Sequence, residues 1–356
     1  MGKLEAYSSI KEKDNFFNQL TINTKNDFDE FYKLLSSASA NTSVWRGVCE
    51  AKYKIYSSLQ RFWISNYLDR TNLTVTDFLK QNLNYASEWN SKVIEKAFEK
   101  FYNIESATIY SILSLLRHHG APSPLIDFSR NAKVALYFAC QPLAATASIQ
   151  DIDNYFSVYE IKKDHVILQQ NIKEIYLRFW PAQRSFQVQL QDLLQGLTDP
   201  ADINKVTHHF TANFCQGLLT NKDLFFKQFE KDYPLHSPYQ IIEDKKGDTL
   251  HYFVNTNFAG VNQEGLFVMN IDPVYPLETI VYERAKELGQ QKGISSKEFY
   301  AAFDRQKQYF LSYNIHKSLR RYALKKLADE SIDQSYIYPD LFELGKNCEY
   351  NFMEKL

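Results

Sequence analysis

The sequence predicts an α+β fold: a mixed or antiparallel sheet with several packed helices, in a single compact body. Three observations predict it. Helical stripes and scattered strand-like runs occur without regular βαβ alternation, no internal repeat is visible, and no linker rich in glycine, proline and serine divides the 356 residues. Hydrophobic residues make up 44% of the chain and aromatic ones 15%, enough to bury a large core.

Taken in order, Phe28, Phe31, Leu34 and Leu35 fall three and four apart and predict a helix before the turn-forming run 36–41. Arg46, between Val44-Trp45 and Gly47, is expected to end a strand where the chain changes direction. Trp89, Val93, Ala97, Phe98 and Phe101 predict an amphipathic helix with its lysines and glutamates outward. A further helix is expected over 106–117, with Ala107, Tyr110, Leu113 and Leu116 inward and Gly120 as its stop. Residues 134–140 suit either a helix or a strand; Ser129 or Asn131 as a cap favours helix. Strands are expected at 155–161, 265–271 and 309–314. The last feeds a helix with the stripe Leu319, Tyr322, Ala323 and Leu327, and a short terminal helix is expected from near Pro339. Residues 185–245 show only weak periodicity.

Lysine plus arginine number 41 against 42 aspartate plus glutamate, so there is no broad nucleic-acid-binding patch to expect from net charge. Cys49, Cys140, Cys215 and Cys348 form no CxxC or Cys/His pair, and His208-His209 lacks a ligand at helical spacing, so no metal is expected. GxGxxG, Walker A and HExxH patterns are absent. The first residues lack an apolar secretion core, Ala6 stands where a myristoylation signal wants serine or threonine, and no run approaches the roughly 18 apolar residues of a span. A cytoplasmic location without membrane contact is the expectation.

Polar residues that could carry chemistry concentrate in two segments. In Trp45-Arg46-Gly47 the guanidinium offers five donors to a carboxylate or phosphate, or else makes a structural salt bridge. The second segment runs from Arg117-His118-His119-Gly120 to Asp127-Phe128-Ser129-Arg130. Adjacent histidines cannot both face one way on a regular element, and helical phase points His119, rather than His118, toward the cleft. Asp127 has three possible roles: orienting an imidazole, accepting from Arg46, or binding a ribose hydroxyl.

At these residues the chain resembles the FRG-domain family of bacterial proteins, named for an aromatic-Arg-Gly motif. The likeness runs through Trp45-Arg46-Gly47, the His-His-Gly-Ala-Pro of 118–122, the Leu-Ile-Asp-Phe-Ser of 125–129 and the Val-Ala-Leu-Tyr-Phe-Ala-Cys of 134–140. Asn262-Gln263-Glu264-Gly265 is similar to a later Gln-Gln-Gly element, and Tyr338-Pro339-Asp340-Leu341 to a C-terminal aromatic-Pro-Asp-Leu signature. The chain departs from the family in lacking an arginine over 258–261 and in having Pro124 after Ala-Pro. The resemblance implies an N-terminal extension over 1–24, a body over 25–346 and a tail over 347–356. Within that body, lobes 25–184 and 246–346 would be joined by a variable insertion, 185–245.

The family is associated with phage defence, which implies a sensor or effector module with a ligand pocket around Arg46 and Asp127. The expected catalytic set is Arg46, His119, Asp127 and Glu264; Trp45, Gly47, His118, Ser129, Arg130, Tyr137 and Gln263 are expected around the ligand. A nucleotide or NAD as cofactor, and a small nucleotide or a phage or protein component as partner, would suit these groups. Two alternatives stand beside the sensor. One is a nucleotide-dependent transferase resembling ADP-ribosyltransferases, with Arg46 on a diphosphate and Ser129, Tyr137 and Glu264 around the reacting sugar. The other is a metal-independent phosphoesterase or nuclease using the histidines as acid and base.

Overall fold

The computed structural model describes residues 2–38, 42–102, 107–141, 150–163, 184–227, 229–230, 239–244, 254–255, 258–283 and 310–340. A first short helix, α1 (Ile10–Lys13), leads into strand β1 (Asn18–Ile22). Helix α2 (Lys25–Ser37) starts at a capping box in which Thr24 and Asp27 satisfy each other's backbone amides. It buries Phe28, Phe31 and Leu35, while Leu34 lies off the stripe at 41% exposure.

Strand β2 (Ser43–Val48) follows, then α3 (Ser58–Ser65), α4 (Val75–Glu88), α5 (Val93–Tyr102) and α6 (Ile109–His118). The expected end of a strand at Arg46 is corrected here, because β2 continues through it to Val48. Gly47 is needed for close approach, not for a turn: a Cβ there would stand 1.8 Å from the Ala135 carbonyl. The stripe from Trp89 is also corrected. Trp89 caps α4, Val93 and Phe101 face outward, and Phe98 alone of the five is fully buried.

Strand β3 (Leu125–Ser129) runs into α7 (Ala132–Ala139), capped by Asn131, whose side-chain oxygen accepts from the amides of Lys133 and Val134. Strand β4 (Tyr155–Lys162) comes next. The weakly periodic region holds α8 (Arg184–Leu194), α9 (Pro200–Thr220), α10 (Lys222–Lys227) and strand β5 (Tyr239–Ile242). Leu219, Phe225 and Phe226 from it are buried.

The later described residues hold α11 (Phe258–Asn262), β6 (Gly265–Asn270), β7 (Phe310–His316), α12 (Arg320–Asp329) and α13 (Gln334–Ile337). Leu319, Ala323 and Leu327 are buried as the stripe predicts. The short helix expected from near Pro339 falls on residues 341–356, which lie outside the described set. Tyr309, expected in β7, is outside it as well.

The seven strands form one sheet in the order β1-β7-β4-β2-β3-β6-β5, parallel between β1 and β7 and antiparallel elsewhere. This is a mixed sheet packed against many helices in one compact domain. Among the described residues, no helix is long and apolar enough to cross a membrane. One seam positions the site: β2 pairs with β4 from Ser43 to Val48, but with β3 only at Trp45 and Ser129. Beyond that pair the sheet is split.

Candidate functional site: an arginine cluster at the split in the sheet

At the split, backbone groups of β3 lack the neighbours that a regular ladder would supply. Arg46 fills the gap. Its Nη1 donates to the Asp127 carbonyl, and its guanidinium lies 5.9 Å from the centre of the Phe128 ring. Burial pulls the Arg46 pKa down to about 10; Asp127 opposes the drop and the like charges of Arg61 and Arg117 add to it. The group still carries its charge at neutral pH.

The Asp127 carboxylate turns instead to α6, where Arg117 Nη2 donates to Oδ2 at 2.5 Å. Its side chain is 51% exposed, and that of Arg117 29%. Arg61, on α3, donates to the Tyr56 carbonyl at 3.3 Å; desolvation lowers its pKa, and the charge of Arg117 lowers it further while Asp127 works the other way. Three guanidiniums therefore lie within the field of the Asp127 carboxylate, which bonds Arg117. The Nε atoms of Arg46 and Arg117 are buried without a hydrogen-bond partner. Excess positive charge and unmet donors suit an anion, above all a phosphate that several guanidiniums can grip at once.

His118, not His119, is the imidazole turned inward. Its Nε2 is 3.4 Å from the Val254 carbonyl and its ring lies edge-on to Phe267, the residue that pairs with Asp127 across the sheet. Burial lowers its pKa below the ordinary 6.5, with the Val254 carbonyl and Asp127 opposing, so the ring is neutral at pH 7. His119 is exposed at the C-cap of α6. The expected phase failed because α6 ends at His118, and the left-handed turn at Gly120, with φ of 83°, redirects the chain.

The remaining expected residues build the end of β3. Ser129 Oγ donates to the Gln263 carbonyl at 2.7 Å and accepts from the Asn131 amide at 2.8 Å. Glu264, at φ of 47°, accepts from Asn131 Nδ2 at 3.0 Å, and its carbonyl accepts from the Arg130 amide at 3.1 Å. The Arg130 guanidinium is paired with Glu243, which also holds Lys163. Trp45 stacks on Tyr313 in the core, and Tyr137 is 7% exposed on the face of α7. Gln263 donates to the Ile337 carbonyl at 3.0 Å.

Sequence reasoning passed over Arg61 and Tyr338. Arg61 lies in no motif and reaches the cluster only through the packing of α3; Tyr338 was visible only as the aromatic of the C-terminal signature. Among the described residues, no group of three or more His, Cys, Asp or Glu is placed to hold a metal ion. A cavity of about 970 Å³ lies away from the cluster, lined by residues such as Trp63, Val75, Phe226 and Asp272.

The stretch from β2 to α7 carries Arg46, Arg61, Arg117 and Asp127 together, and this segment is similar to a known domain. Residues 41–147 match the FRG domain. The matched segment encloses every member of the arginine cluster, while Gln263, Glu264 and Tyr338 lie beyond it. No curated protein and no solved structure matches the chain.

Proposed function

We propose that this chain recognises a small phosphorylated molecule at the split between β2 and β3, as a sensor or effector module, with anti-phage defence as its setting. The observation that carries the reading is the imbalance of the cluster: Arg46, Arg61 and Arg117 against Asp127, with two guanidinium Nε atoms buried and unpartnered. A buried donor without an acceptor costs about 1–3 kcal/mol, which an anionic oxygen would relieve. A purely structural role would leave that cost in place.

The alternatives gain less from the geometry. For ADP-ribosyl transfer, the Ser129 hydroxyl and the Glu264 carboxylate are both engaged in the turn that starts α7. For acid–base phosphoester cleavage, His118 is neutral and half-buried while His119 faces solvent. A thermal shift series checks the proposal. Inorganic pyrophosphate should raise the melting temperature of the wild type beyond a sodium chloride control of equal ionic strength, and Arg61→Ala should shrink the rise at each concentration while melting normally without ligand. An identical shift in both proteins would contradict it.

A further inference from the structure

The C-terminal strap brings a second kind of surface to the arginine cluster. Helix α13 is capped by Asp333, whose Oδ1 accepts from the amides of Ser335 and Tyr336 at 2.9 and 3.0 Å. Two side-chain amides from the turn before β6 then grip its backbone: Asn262 Nδ2 donates to the Tyr336 carbonyl at 2.9 Å and Gln263 Nε2 to the Ile337 carbonyl at 3.0 Å. Ile337 is fully buried. The next residue, Tyr338, is 51% exposed although the strap before it is anchored at every turn. Its ring lies edge-on to Phe138 at 6.3 Å, and Phe138 lies edge-on to Tyr137 at 6.2 Å. The same Gln263 ties the strap to the cluster: its carbonyl accepts from Ser129 Oγ at 2.7 Å, and Ser129 lies two residues from Asp127 on the same face of β3. Burial raises the Tyr338 pKa, and the charges of Tyr137 and Asp127 raise it further.

An aromatic ring with open surface, on a strap tied to the strand that carries Asp127, combines with the guanidiniums what nucleotide recognition needs. Bases stack on aromatic faces, guanidiniums hold phosphates, and a carboxylate accepts from ribose hydroxyls. We propose that Tyr338 is a specificity-determining residue whose ring stacks on the base of a nucleotide, so that the ligand of the arginine cluster is a nucleoside phosphate and not a bare phosphate. This rests on the anion site proposed above. It assigns Gln263 a positioning role, holding the strap that presents Tyr338.

Calorimetric titration of the full chain with pyrophosphate, and with ADP, GDP, CDP and UDP, separates the two ideas. The tightest nucleotide should bind about ten-fold better than pyrophosphate. Tyr338→Ala should erase that advantage and leave pyrophosphate affinity unchanged, Tyr338→Phe should keep it, and Gln263→Ala should reduce it. Pyrophosphate binding that depends on Arg61, with no nucleotide binding more tightly, would overturn the role of Tyr338 and leave the anion site standing. An advantage that survives Tyr338→Ala would overturn it too. Absence of binding by every probe would overturn both.

Discussion

Two cationic clusters flank β2, and they are built in opposite ways. On one side, the Lys13 ammonium is fully buried: it donates to Ser157 Oγ on β4 and Asn314 Oδ1 on β7 at 3.1 and 2.8 Å, and sits 4.9 Å from the centre of the Tyr159 ring. Asn314 in turn donates to Gln19 at 2.6 Å, so the network closes on itself. On the other side, Arg46 holds the Asp127 carbonyl, Arg117 its half-exposed carboxylate and Arg61 the Tyr56 carbonyl, and the Nε atoms of Arg46 and Arg117 are buried without a partner. A polar group with its hydrogen bonds satisfied inside the core serves the fold, whereas unmet donors beside a half-exposed carboxylate are what the proposed anion would engage. The difference teaches which of two clusters to test for a ligand, and composition could not have made that choice.

The largest expected effect comes from β2, the strand between the clusters. Gly47→Ala should cost about 3 kcal/mol in a urea melt, because its Cβ would collide with the backbone of α7. A stable Gly47→Ala variant would mean that α7 can slide, and the seam geometry would lose its cause.

Next is the pH response of the buried cluster. Burial lowers the Lys13 pKa to about 7, far below its unfolded value near 10.4. Between those values the unfolded chain binds more protons than the folded one, so stability rises with pH, by about 2 kcal/mol from pH 7 to 9. Lys13→Met should remove that rise and leave any pyrophosphate response intact. A flat wild-type profile would show that Lys13 is not sealed from water, and the contrast between the clusters would fade.

Smaller effects belong to the arginine cluster. Arg61→Ala should weaken pyrophosphate binding about ten-fold, near 1.4 kcal/mol, without a matching loss of stability. Asp127→Asn should tighten binding by a few-fold, since it removes the carboxylate that competes for the Arg117 guanidinium. The smallest effect separates the histidines: His118→Ala should cost about 1 kcal/mol of stability through the lost packing on Phe267, and His119→Ala less than about 0.5.

Much of the frame was legible wherever periodicity was strong. The stripe Leu319, Ala323 and Leu327 and the strand expected at 155–161 settle into a buried helix face and a central strand, the latter buried on both faces. Arg46 and Asp127 were also legible as neighbours, because each stood out as a polar residue among core-forming ones. Their contact takes a different form from the one expected, through the Asp127 carbonyl, since a split seam cannot be read from either strand alone. The inward histidine was misread because one residue of helix length sets its direction. Lys13 escaped notice because a lysine near an N-terminus reads as solvated; only Tyr7, Phe17 and Tyr159 closing around it make it a core residue.

The central claim is that the unmet guanidiniums at the seam form an anion site. Isothermal titration of pyrophosphate into the wild-type chain at low ionic strength, beside Arg46→Gln and Lys13→Met, tests it most directly. The account predicts saturable one-to-one binding in the wild type and in Lys13→Met, with none in a folded Arg46→Gln. Equal heats in all three proteins, or none in the wild type, would contradict it.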